Sequence, residues 1–229
     1  MSRELYTAYS GASLAWRQLE VVANNVANAN TPGFREARMV FQLAPGGNPE
    51  SPLDSAFAEI AGMSYNTEDG TLVQDNVRTH LAVRGDGFFA LEDGTYTRDG
   101  GFLLSRDGEL VTREGTAVLG EGGTIRLDPN ERFTVSAEGT VVGATSGEVG
   151  RIRLVRLRDA SQVGGNRWTG TESAAEDVTV MQGVREGSNA DPMRAMVELI
   201  EAQHYFEAQQ KAMQTSDEMQ SRLNRVAGG

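Results

Sequence analysis

The chain has 229 residues, a formal net charge of −11, two histidines and no cysteine. That length supplies a core for one large domain or two modest ones, the missing cysteines exclude disulfide scaffolds, thiol catalysis and cysteine zinc sites, and the acidity argues against nucleic-acid binding. No stretch approaches the ~20 apolar residues of a membrane span, so no membrane insertion is expected.

At the N-terminal end, Leu5, Ala8, Ala12, Ala15, Leu19, Val22 and Val26 recur at alternating steps of three and four, and Tyr9 and Trp16 widen the stripe. This is the seam of a heptad helix, and alanines at neighbouring seam positions let a partner helix approach closely. Asn24, Asn25, Asn28 and Asn30 compete for backbone hydrogen bonds yet tolerate the left-handed conformation that closes helices, so the helix ends near Asn28 to Asn30. Thr31-Pro32-Gly33 places proline and glycine where a type II turn wants them, and Phe34 follows as an apolar anchor. An ordinary helix exit has the same chemistry.

Residues 35–71 read as an extended linker containing a short helix or strand. Pro45-Gly46-Gly47-Asn48-Pro49 and Ser51-Pro52 mark a loop, and Leu53 to Met63 has only a weak apolar pattern. From 72 to 185, short apolar runs alternate with Asp-Gly and Glu-Gly turns, the rhythm of an all-β domain of hairpins. Strands are predicted at Thr79–Val83, Phe88–Leu91, Gly101–Ser105, Glu109–Thr112, Thr124–Leu127, Phe133–Val135, Ile152–Leu157 and Val178–Met181, with a bulge at Leu154-Val155 where the alternation resets.

Residues 186–229 form the second helical end. Glu186-Gly187-Ser188-Asn189 is a turn-like approach, and Asp191-Pro192 places a capping acid before a proline suited to the first turn. Met193, Met196, Val197, Leu199, Ile200, Phe206, Met213, Met219, Leu223 and Val226 then recur at helical spacing over roughly 35 residues, or roughly 50 Å. The predicted fold is α+β: long N-terminal (1–34) and C-terminal (186–229) α-helices pairing in one helical layer, with an inserted all-β domain (72–185) of short hairpin strands. Leu5, Ala12, Leu19, Val22 and Val26 are expected to pack against Ile200, Phe206, Met213, Leu223 and neighbouring subunits.

Catalytic constellations are not found. His80 and His204 lie far from any nucleophile-elbow sequence, there is no HExxH spacing, and Gly120-Glu121-Gly122-Gly123 lacks the lysine-threonine ending of a phosphate loop. Asp86, Asp93, Asp99 and Asp107 precede glycines as turns require, without calcium-loop spacing. No metal, cofactor or catalytic residue is assigned.

The stretches Ser10-Gly11 through Leu19, Ala23-Asn24-Asn25-Val26-Ala27-Asn28 and Thr31-Pro32-Gly33-Phe34 resemble the N-terminal signature of bacterial flagellar rod and hook proteins. Glu186-Gly187-Ser188-Asn189 through Met196-Val197-Glu198-Leu199-Ile200, Tyr205-Phe206-Glu207 and Thr215-Ser216-Asp217-Glu218-Met219 resemble the other end of the same family. The resemblance also runs through Tyr96-Thr97-Arg98-Asp99-Gly100, Gly108-Glu109-Leu110-Val111-Thr112 and Gly150-Arg151-Ile152-Arg153-Leu154. Two departures stand out: His204 stands where an arginine is expected, and Ala190-Asp191-Pro192 replaces the usual Val-Asn sequence.

The resemblance implies a structural rod subunit without a cofactor, most like the family's proximal-rod members, with the distal-rod members as the alternative. It implies assembly with copies of itself and other flagellar rod proteins, passage through the flagellar export apparatus, and a place in the periplasmic part of the basal body. The N-terminus lacks a basic head followed by an apolar block, so no cleaved secretory signal is expected. A self-contained β-domain binding module or enzyme, with helices merely paired internally, is the other class of function left open.

Overall fold

The structure is a computed structural model that describes residues 3–44, 57–164, 166–175 and 177–227. The chain divides into two compact units, one of residues 1–27, 37–65 and 191–229, the other of residues 28–36 and 66–190. The boundaries differ from the sequence-based 34/35, 71/72 and 185/186. Asn28–Glu36 and Glu186–Ala190 belong with the β unit, and most of the expected linker belongs with the helices.

In the helical unit, α1 runs over Arg3–Ala27 and α2 over Pro192–Ala227. Asp191 caps α2 through Oδ1, which accepts from the backbone N–H groups of Met193 and Arg194 at 2.9 and 3.3 Å. This satisfies amides that have no partner inside the helix. Between the helices in sequence lies an antiparallel ribbon of β1 (Ala37–Ala44) and β2 (Phe57–Tyr65). It stands where a linker with a short helix or strand is expected, and its register shifts once, between Val40 and Phe41. The proline-rich loop from Pro45 to Pro52 lies outside the described residues.

The β unit is built from many short strands. β3 (Leu72–Gln74) pairs with Val184–Glu186, and β4 (Leu81–Arg84) pairs with Thr179–Gln182. β5 (Phe88–Ala90), β6 (Tyr96–Thr97), Arg167–Ala174 and Leu154–Gly164 close into a four-stranded barrel. Thr140–Gly143 joins Phe133–Val135 to Gly147–Arg151 in a three-stranded sheet. No bulge occurs at Leu154-Val155. The strand stops at Arg151 and a new one begins at Leu154, so the alternation resets at a break; the register shifts come later, between Arg158 and Ser161 and between Gln162 and Gly164.

Leu81, Val83, Phe89, Leu91, Phe102 and Ile152 form the centre of the core. Phe102 meets Phe89 edge-on at 4.9 Å, a geometry that the ring quadrupoles favour. Among the turn glycines, Gly94, Gly108, Gly115 and Gly139 all adopt positive φ. Gly100 is required for another reason: a Cβ there would lie 1.5 Å from the carbonyl oxygen of Leu81.

Candidate functional site

Two places hold the residues singled out by sequence: the α1–α2 seam, and the junction where the chain enters and leaves the β unit.

In the seam, Gly11 faces Gln209, and Trp16 lies 5.5 Å from Phe206 between ring centroids. The pairs fall in opposite order along the two helices, so α1 and α2 run antiparallel. On α1, Ala12, Ala15 and Val22 are buried, while Leu19 and Val26 are half-buried. On α2, Ala195 and Ala202 are buried, and Leu199, Phe206, Gln209 and Met213 are half-buried, again at steps of three and four. Ile200, by contrast, is 56% exposed. The inner face of α2 is set by its alanines, which let the backbones approach, and Ile200 lies off that face. Leu5 and Leu223 are on the helices, but their side chains lie outside the described residues.

Asn25 is the signature residue of the helical unit. Its buried side chain donates to the carbonyl of Ala37 at 2.9 Å and accepts from the same residue's N–H at 3.0 Å. It therefore substitutes for one rung of a β-ladder at the start of β1. Replacing Asn25 with Leu leaves both backbone groups buried and unpaired, and should cost about 2–3 kcal/mol. Hydrogen exchange checks this directly, because protection of the Ala37 amide should be lost.

Asn24 stays on the exposed side of α1, while Asn28, Thr31, Pro32, Gly33, Phe34, Glu186, Ser188 and Asn189 lie in the β unit. Asn28 starts the exit, its carbonyl accepting from Thr31 N–H at 2.9 Å and its side chain from the Thr31 hydroxyl at 3.1 Å. Phe34 N–H returns to the Thr31 carbonyl at 3.2 Å, closing the turn around Pro32 and Gly33. Gly33 has φ +68°, as the third residue of a type II turn must. Phe34 is buried. Beside this turn runs the other crossing: Gly33 N–H donates to the Glu186 carbonyl at 3.0 Å, and Asn189 N–H to the Phe34 carbonyl at 3.2 Å.

The side chain of Asn189 donates to the carbonyls of Asn66 and Glu68, both at 2.9 Å, and accepts from Glu36 N–H at 2.7 Å. It ties three chain segments together. Ser188 offers its hydroxyl oxygen to Ala190 N–H at 3.1 Å.

Glu186 sits at the centre, fully buried. Its Oε2 accepts from Arg98 Nε at 2.5 Å, and its Oε1 from Gly70 N–H at 2.9 Å, with Arg35 at 3.1 Å. Arg98 places all five N–H donors: one on Glu186, two on the carbonyls of Gly85 and Gly87, one on Asp69 at 2.8 Å and one on the Val83 carbonyl at 2.7 Å. Burial, with Arg98 beside it, pulls Arg35 below the ordinary guanidinium range. Two guanidiniums thus share two carboxylates, Glu186 and Asp69. The tip of the hairpin 154–174 closes the assembly, Asn166 donating from its side chain to the Pro32 carbonyl at 2.5 Å. No local sequence signal marks Asp69, Arg98 or Asn166 for these roles.

Most of the other candidate groups have structural partners. Asp86 pairs with Arg156 at 2.7 Å, Asp93 accepts from the N–H and hydroxyl of Thr95, and Asp99 accepts from Gly101 N–H. His80 Nδ1 lies 2.6 Å from Asp75, and His204 is exposed beside Glu207. The Ser146 hydroxyl and the N–H groups of Thr145 and Ser146 hold the Glu131 carboxyl down at about 2. Among the described residues no helix is long and apolar enough to cross a membrane.

The chain thus joins an antiparallel helix pair, drawn from its N- and C-terminal helices, to a β unit inserted between them in sequence, with the entering and leaving segments hydrogen-bonded to each other within the β unit. Residues 5–35 match a family described as flagella basal body rod protein, residues 82–143 one described as flagellar hook protein FlgE/F/G D1 domain, and residues 181–226 one described as flagellar basal body rod FlgEFG protein C-terminal. The chain is 34% identical to the flagellar basal-body rod protein FlgF of Caulobacter vibrioides, with 96% of this chain and 95% of the relative aligned. It is 32% identical to FlgF of Salmonella typhimurium, over 99% of this chain and 98% of the relative. It is also 32% identical to FlgG of Bacillus subtilis, over 97% and 98%. The chain belongs to the flagellar basal-body rod protein family, whose members are structural subunits of the basal body.

Proposed function

We propose that this chain is a proximal-rod subunit of the FlgF type, whose terminal helices pair in one layer and assemble helically with copies of itself and with other rod proteins into the torque-transmitting shaft. The observation that carries this reading is the surface of α2. Its inner face is covered by α1, yet Met193, Met196, Val197 and Ile200 remain exposed at helical spacing. A helix apolar on two sides needs a second partner. Export through the flagellum's own channel to the periplasm, without a cleaved signal, follows from the same reading. The similarity to FlgG supports the distal-rod identity as a second reading.

The test is Leu19→Asp and Phe206→Asp in a strain lacking the native protein. Each puts a charge into the half-buried seam, so rods should be absent and motility lost, while the protease-resistant β unit remains. Normal rods from both variants would overturn helix-mediated assembly. Arrested basal bodies of the deletion strain that retain a proximal-rod subunit would favour the distal identity.

A further inference from the structure

The inner face of α2 consists of Ala195, Leu199, Ala202, Phe206, Gln209 and Met213, spaced at alternating steps of four and three. Gln209 alone among them is polar. Its side chain lies against Gly11 of α1, where an added Cβ would come 3.1 Å from Oε1 and 3.5 Å from Cδ. Gly11 is the one glycine in Arg3–Ala27, and Pro192–Ala227 contains none.

A glycine inside a helix disfavours it about five-fold relative to alanine. Gly11 therefore serves something other than α1 itself. Its missing Cβ opens a notch beside the buried Ala12, and the Gln209 amide occupies that notch. Gln209 is half-buried, so the amide keeps an edge in water and its polar atoms are not stranded in the seam.

We infer that Gly11 and Gln209 are the register key of the helix pair, a glycine notch and a polar side chain that fit at one alignment of α1 against α2. A single polar residue in an apolar seam fixes register at a cost in stability. The rest of this seam is permissive, because alanines and unspecific apolar side chains repack at several alignments. A slip of one heptad, about 10 Å along the axis, brings the amide in one direction to the level of Leu19, where a branched apolar side chain replaces the notch. The key acts within one chain, and it sets which residues of α2 stand at each level of α1.

Two measurements on the purified full-length chain test this. In the first, amide exchange in α1 is compared for the native chain, Gly11→Ala, Gln209→Ala and the double variant. With Gln209 present, Gly11→Ala should lower protection, because Oε1 must give way. With alanine at 209 the same substitution should raise protection about five-fold, since helix propensity alone then acts. An equal effect in both backgrounds would overturn the inference.

In the second, nitroxide labels on Arg17→Cys and Glu218→Cys report the axial offset of the helices; both positions are exposed, and the chain has no native cysteine. One distance is expected with Gln209. Gln209→Leu should keep α1 protected yet add a second distance, displaced by up to about 10 Å. A single unchanged distance would show that the apolar residues hold the register alone, and loss of protection would reduce Gln209 to a packing residue. Either result overturns the inference, as would a native chain in which α1 is unprotected.

Discussion

Replacing Arg98 with Met should destabilise the β unit by about 3–5 kcal/mol, the usual cost of removing one partner from a buried ion network. Arg98 is fully buried and all five of its donors are engaged. Its loss leaves Glu186 and Asp69 with only Arg35 as a cationic partner, and strips the carbonyls of Val83, Gly85 and Gly87 of their shared donor group. Arg98→Lys should recover only part of this, because an ammonium brings three donors on a flexible stem where the site uses a planar fork of five. Urea denaturation followed by Trp168 fluorescence, in a Trp16→Phe background, measures both. A cost below about 1 kcal/mol for Arg98→Met would mean that methionine packing replaces the network.

The same network separates what is legible in the sequence from what is not. The first helix is legible because its periodicity is local, and the turn at Thr31-Pro32-Gly33 because proline and glycine have conformational signatures. Arg98 is visible only inside a family-like stretch. Nothing local marks an arginine as buried, and its carboxylate partners lie 29 and 88 positions away in the chain. The inner face of α2 is hidden for a different reason. Periodicity draws the eye to large apolar residues such as Ile200, whereas Ala195 and Ala202 occupy the buried positions. The ribbon is obscured by the proline-rich loop, and its pairing depends on contacts between residues far apart in sequence. Strands of only two residues, such as Tyr96–Thr97, are too short to show any alternation.

Gly33→Ala should cost more than about 3 kcal/mol, and comparison with Gly94→Ala separates the two causes. Both glycines have positive φ, +68° and +76°, so both alanines carry a left-handed penalty of about 1 kcal/mol. Gly94 has nothing within 4 Å of an added Cβ, and its cost should stop there. At Gly33 the Cβ would lie 2.6 Å from the carbonyl carbon of Arg98 and from Asp99 N, backbone atoms with no rotamer by which to escape. Relief requires moving the turn away from Arg98–Asp99. That motion stretches the Gly33–Glu186 backbone bond at 3.0 Å and the Asn166–Pro32 bond at 2.5 Å, the contacts that hold the two chain crossings side by side. Denaturation midpoints for the two variants give the comparison. A Gly33→Ala cost close to that of Gly94→Ala would show that the turn relaxes freely, and the glycine would then serve its φ angle alone. A much larger cost assigns it to close packing as well, which explains why glycine is needed at a turn where asparagine can also adopt positive φ.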